Sequence, residues 1–110
     1  MPFIASGALK RVYDTYNKKY FDGLLPKEAI VGTNDLASSE CGIAVRHEES
    51  GHEIFVIHID PVKHNGSRDM RLTLLHEMIH LKLFPYQYHG KRFEEEKNRL
   101  TLRGATKGLW

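Results

Sequence analysis

The sequence predicts an α+β domain in which a small three-stranded sheet packs on three helices, in the order α-β-β-β-α-α. Three observations carry this. Stretches near the N-terminus, after residue 67 and after residue 91 read as helices. Two runs rich in β-branched residues flank a short turn containing Gly51. The chain has 110 residues, enough for a single domain over 1–110 with a modest core and no second folded module.

The first helix is expected from about Ser6 to Phe21. Leu9, Val12, Tyr13, Tyr16 and Tyr20 recur along one helical face, an aromatic stripe that reads as core. Ser6 suits the N-cap, and Gly23 with Pro26 ends the element. Strands follow over 29–31, 41–47 and 53–59, with a hairpin turn over 48–52 in which Gly51 supplies a positive φ. Pro61 ends the last strand. Ser67 is placed as N-cap of the second helix and Asp69 in its first turn. That helix is expected to reach about Phe84, where Pro85 forbids continuation. A loop then leads to a last helix from Lys91 to Leu102, with Gly104 as stop signal.

The second helix carries His76-Glu77-Met78-Ile79-His80, an H-E-x-x-H run. Positions i and i+4 of a helix lie about 40° apart around the axis and about 6 Å apart along it. Two imidazoles there can hold one metal ion, and Glu77 flanks it to act on a water. Zinc chemistry needs this set of neutral nitrogens, an open coordination position and a carboxylate that takes a proton. In a chain with seven His the bare pattern can arise by chance. Its setting argues otherwise, because polar side chains in the apolar stretch from Met70 to Phe84 are costly unless something satisfies them.

Zinc catalysis usually needs a third protein ligand. His89, nine residues after His80 and beside Gly90, is the preferred candidate, since a loop can return it across the helix face. Glu94, Glu95 or Glu96 is a second option and Cys41 a third. A metzincin arrangement fails, because Tyr86 and Leu83 stand where its His and Gly belong. His47, His52 and His64 fall in turns and read as solvent-exposed. His58 reads as structural, with a role lining the cleft as the alternative.

Cys41 is the sole cysteine, which excludes an internal disulfide and a Cys-based zinc ribbon. No run resembles a transmembrane helix or a signal peptide, so a cytoplasmic location is expected. Net charge is only +2, but residues 80–110 carry seven basic and three acidic groups. Lys91, Arg92, Lys97, Arg99, Arg103 and Lys107 could form a phosphate-facing stripe giving weak, non-specific DNA binding, although a solvated helix face is the commoner explanation for such charges.

Several segments together resemble the SprT-like zinc metallopeptidase domain, the catalytic part of Spartan-type proteases. They are Tyr16-Asn17-Lys-Lys-Tyr20-Phe21-Asp-Gly23-Leu-Leu-Pro26, Cys41-Gly42, Ile57-His-Ile59-Asp-Pro61, Thr73-Leu74-Leu75-His76-Glu77-Met78-Ile79-His80 and His89-Gly90-Lys-Arg-Phe93, spanning about residues 9–100. The resemblance implies a minimal zincin-like fold without a zinc ribbon. It implies zinc on His76, His80 and His89, Glu77 as catalytic carboxylate, and protein or peptide substrates that include DNA-associated or DNA-crosslinked proteins. On that reading Glu77 takes a proton from the attacking water and passes it to the leaving amine. Tyr86 or Tyr88 could stabilise the oxyanion. The rival expectation is a zinc-stapled nucleic-acid-binding or interaction module with little turnover, in which Glu77 would have no task.

Overall fold

The computed structural model describes residues 4–36, 41–64, 67–83 and 90–105. Its elements are β1 (Ile4–Ala5), α1 (Gly7–Tyr20), β2 (Ile30–Thr33), β3 (Gly42–Glu49), β4 (His52–Ile59), α2 (Ser67–Leu83) and α3 (Lys91–Leu102), with a 3₁₀ turn at Pro61–Lys63.

Helix α1 starts as its sequence dictates. The Ser6 hydroxyl accepts the Leu9 N–H at 3.2 Å, satisfying one of the free donors of the first turn. At the other end the Phe21 and Gly23 N–H groups both donate to the Asn17 carbonyl, at 3.1 and 2.9 Å. This wrap needs positive φ at Asp22 and Gly23 (54° and 71°), which glycine adopts without a Cβ penalty. Leu9, Tyr13 and Tyr20 are buried as the stripe requires, with Val12 and Tyr16 packed beside them. Asn17 lies on the same face, only 4% exposed. Burying an amide is unfavourable unless it is hydrogen-bonded. Here Nδ2 donates to the Leu25 carbonyl and Oδ1 accepts the Leu25 N–H, both at 3.0 Å. The Tyr13 hydroxyl donates to the Pro26 carbonyl at 2.6 Å, so the segment after α1 is strapped back onto it.

The sheet has four strands, not the three expected, in the order β1-β2-β4-β3. The extra strand, β1, pairs antiparallel with β2 at Gly32 and Thr33. Strand β2 runs parallel to β4, joining Ile30 to Val56 and Thr33 to Ile59. β3 and β4 form the expected hairpin, closed by a two-residue loop between Glu49 and His52. Ser50 and Gly51 both have positive φ, 52° and 80°, the twist that suits a two-residue hairpin. The ladder extends one step further, with the Asp60 N–H donating to the Cys41 carbonyl at 2.9 Å.

Alternation along β4 puts Ile57 and Ile59 on the sheet face that meets the helices, both fully buried, and leaves His58 on the opposite face. α2 is the central helix. Leu74, Leu75, Met78, Ile79 and Leu81 are buried in one cluster with Tyr13, Tyr20, Val31, Ile57, Phe93 and Leu100. Such a helix is apolar around most of its circumference, because the sheet and the other two helices all press on it. Each of its buried apolar side chains contributes about 1.5–3 kcal/mol over exposure. The helix is described from Ser67 to Leu83, and Phe84, where it was expected to end, lies outside the described residues.

Helix α3 has the predicted bounds, and Gly104 follows it with φ 85°. Glu96 is buried between α2 and α3. Lys82 donates to both of its oxygens at 2.9 Å, and Arg99 Nε donates to Oε1 at 2.8 Å with a second contact from the same guanidinium. Arg103 donates to the Lys19 carbonyl at 2.9 Å, tying the end of α3 to the end of α1. Among the described residues no helix is long and apolar enough to cross a membrane.

Candidate active site

Helix α2 delivers His76, Glu77 and His80 to one place. The imidazoles of His76 and His80 stand with ring centroids 4.9 Å apart, one helical turn from each other. Their Nε2 atoms converge to 3.2 Å. Two nitrogens bound tetrahedrally to one zinc ion lie about 3.3 Å apart, from Zn–N bonds of about 2.0–2.1 Å. The pair is therefore spaced as a zinc ion would require.

Phe93, buried on α3, sets the ring planes from below. Its centroid is 4.8 Å from His76 and 5.1 Å from His80. Tilted ring contacts at this distance restrict the imidazoles' rotation before any ligand arrives. The Lys82–Glu96–Arg99 cluster holds α3 in register one turn further along. Burial alone would raise the Glu96 carboxyl, but the hydrogen bonds and charges of Arg99 and Lys82 outweigh it and hold the group below its ordinary range.

Glu77 is 6% exposed. Its surroundings come from β3. A Cβ on Gly42 would lie 2.6 Å from Thr73 Cγ2, 3.2 Å from the His58 carbonyl and 3.3 Å from Glu77 Cγ. The strand backbone thus rests directly on α2 at Thr73 and Glu77, and only glycine permits that approach. Thr73 is fixed from its other side. His64 Nδ1 donates to the Asp60 carbonyl at 2.6 Å, and His64 Nε2 meets Thr73 Oγ1 at 2.7 Å. Asp60 is itself locked: its carboxylate accepts the Leu36 and Val62 N–H groups at 3.0 and 3.1 Å. The Leu36 N–H foremost, with the Val62 N–H and the Lys63 ammonium, holds the Asp60 carboxyl below its ordinary range against the opposing effect of burial.

His89 lies outside the described residues, as do Tyr86 and Tyr88. The alternatives to His89 find no support in the described geometry. Among the described residues no group of three or more His, Cys, Asp or Glu side chains is placed to hold a metal ion. Cys41 is exposed, Glu94 and Glu95 are exposed, and Glu96 is committed to Lys82 and Arg99.

The other histidines sort differently from expectation at one position. His52 is exposed, and the side chain of His47 lies outside the described set. His64 is not solvent-exposed but half-buried, because both ring nitrogens are engaged. His58 Nδ1 is 3.4 Å from Asn34 Nδ2 on the sheet face turned from α2, which fits the structural role. The basic stripe also shrinks. Arg99 stacks over Phe21 and binds Glu96, and Arg103 binds the end of α1. Lys91 and Arg92 remain exposed, and Lys107 lies outside the described residues.

Sequence reasoning gave no role to Gly42, His64 or Thr73. A lone glycine opening a β-branched run was the available signal for Gly42, since it marks close backbone approach. Thr73, one turn before Glu77, carried a weaker one.

Compared with known proteins, the chain matches the model of the SprT-like family over residues 9–106. No curated protein and no solved structure matches it.

Proposed function

The chain belongs to the SprT-like family, and from that premise we propose that it is a zinc-dependent metallopeptidase. The observation that carries the reading is the 3.2 Å convergence of the His76 and His80 Nε2 atoms beside a buried glutamate. His76 and His80 would hold the ion, with His89 as third ligand. Zinc in such a site supplies Lewis acidity, polarising a carbonyl and making a water acidic near neutral pH.

The chain's own residues do the rest. Glu77 accepts the proton of the attacking water and returns it to the leaving amine, general base and then general acid. Its packing against the Gly42 backbone holds it oriented before substrate arrives, so little reorganisation is needed at the moment of reaction. Phe93 does the same for the imidazoles. Substrates are proteins or peptides, with DNA-associated proteins as the class the family likeness suggests. A purely structural zinc site is usually closed by a fourth ligand and has no task for a buried glutamate, which weighs against a binding module without turnover.

Glu77→Gln tests this. The variant should keep its zinc content and melting temperature while its hydrolysis of a denatured protein substrate falls by several orders of magnitude. Wild-type turnover in that variant would overturn the mechanism.

A further inference from the structure

The geometry points to His64 as a positioning residue that acts through Thr73 to fix Glu77. This deepens the peptidase reading and rests on it.

The argument starts with a hydroxyl. A threonine inside a helix ordinarily divides its χ1 between two rotamers, because Oγ1 can bond a carbonyl of the preceding turn. At Thr73 that choice is made from outside. The Asp60 carbonyl can only accept, so the proton at the 2.6 Å contact belongs to His64 Nδ1. In the neutral ring Nε2 is then an acceptor, and the Thr73 hydroxyl donates to it across 2.7 Å. A hydroxyl has one proton, and giving it to His64 selects one rotamer. In that rotamer Thr73 Cγ2 faces β3 at Gly42, within 2.6 Å of where a Cβ would stand.

Glu77 is four residues further along the same face of α2. Its Cγ abuts the same point of Gly42, at 3.3 Å from the Cβ position. Thr73 and the Gly42 backbone therefore form two adjoining walls for the glutamate's methylene stem. The His64 ring is anchored in turn, because Asp60 is held by Leu36, Val62 and, through its N–H, by the Cys41 carbonyl. The chain of contacts runs from the turn after β4, through His64, to Thr73 and then, at the Gly42 backbone, to the stem of Glu77. It fixes orientation and touches no reacting atom.

The test uses shape-conserving variants that remove the hydrogen bond from either side, His64→Phe and Thr73→Val. Both should lower kcat about tenfold or more, since small misplacements of a catalytic group are costly. KM and zinc per chain should stay at wild-type values. The double variant should be no slower than the slower single one, because both act through one bond. His64→Gln, which can restore an acceptor for the hydroxyl, should recover part of kcat. A kcat within twofold of wild type in both single variants would overturn the proposal. If His64→Phe does not fold, Thr73→Val carries the comparison alone. A second readout does not need turnover: melting temperatures of metal-free Thr73→Val, Glu77→Ala, which removes the stem, and the double variant. Non-additive shifts support the coupling, and additive shifts overturn it. A wild-type protein that holds zinc yet cleaves nothing would sink the peptidase reading, and the melting cycle would still decide the Thr73–Glu77 contact.

Discussion

Replacing Gly42 by Ala should destabilise the protein by about 1–2 kcal/mol. Two effects oppose each other. Gly42 does not have a positive φ, so alanine should gain about 0.4–1 kcal/mol by restricting the unfolded chain. Against this, the new methyl would lie 2.6 Å from Thr73 Cγ2. Carbon atoms pack best at about 3.5–4.0 Å, so something must move by about 1 Å. The Thr73 methyl cannot simply turn aside while its hydroxyl is held by His64, and the next neighbour, the His58 carbonyl at 3.2 Å, is backbone in β4. Overpacking of this kind costs about 1–3 kcal/mol and wins. For a domain of this size that is a fall in Tm of about 5–15 °C, read by far-UV circular dichroism on metal-free protein. Thr73→Ser deletes Cγ2 and keeps the hydroxyl, so added to Gly42→Ala it should restore more than half of the loss. A Gly42→Ala protein that melts at or above wild type would refute the packing argument. So would a double variant whose Tm loss is the sum of the two singles.

Three further outcomes follow from the same geometry. Glu96 has a folded pKa below its unfolded one, so its contribution is full above the ordinary carboxylate pKa of about 4.3 and is lost as pH falls through the depressed value; Glu96→Gln should melt lower at pH 7 and show a flatter Tm profile below about pH 4.3, and an unchanged acid limb would contradict this. His89→Ala should bind zinc far more weakly than wild type, measured as metal per chain after dialysis against a weak chelator, with full occupancy moving the third ligand elsewhere. DNA binding, if the exposed basic groups at the start of α3 support it, should be salt-sensitive and fall on charge reversal of Lys91 and Arg92. Reversing Arg99 should instead unfold the α2–α3 contact, and absence of any DNA affinity at low salt would close that reading.

Local structure with a local signature was legible in the sequence. The closeness of His76 and His80, the Ser6 cap, both ends of α3 and the hairpin turn all depend on neighbours a few residues away. What escaped depended on distant partners. β1 is two residues long and carries no period that could reveal it. β2 begins at Ile30, not Ala29, and is set by its pairing with β4, which no local pattern encodes. His64 looked like a turn residue because its partner Thr73 sits on the next helix. Arg99 and Arg103 looked like a free basic stripe because Phe21 and the Lys19 carbonyl, which engage them, are distant in sequence and meet them only once α3 is docked; the pairing of Arg99 with Glu96, three residues away on the same helix, was the one local sign.

The two histidines and the glutamate depend on different amounts of the fold, and this bears on the order in which a newly made chain gains its properties. His76 and His80 need only one turn of α2 to bring their nitrogens together. An isolated helix of 17 residues is marginal in water, and an ion that binds the helical form would favour it by mass action. Glu77 needs more: the hairpin closed, β4 seated beside β2, and Gly42 laid against the helix. Parallel pairing of that kind closes a long loop and is slow compared with helix formation. On the peptidase reading, a chain of this design meets its ion only weakly at first, through two nitrogens, and becomes able to cut only when His89 has joined them and the hairpin is seated against the helix. On that reading the immature protein is harmless to its neighbours until the whole domain has closed.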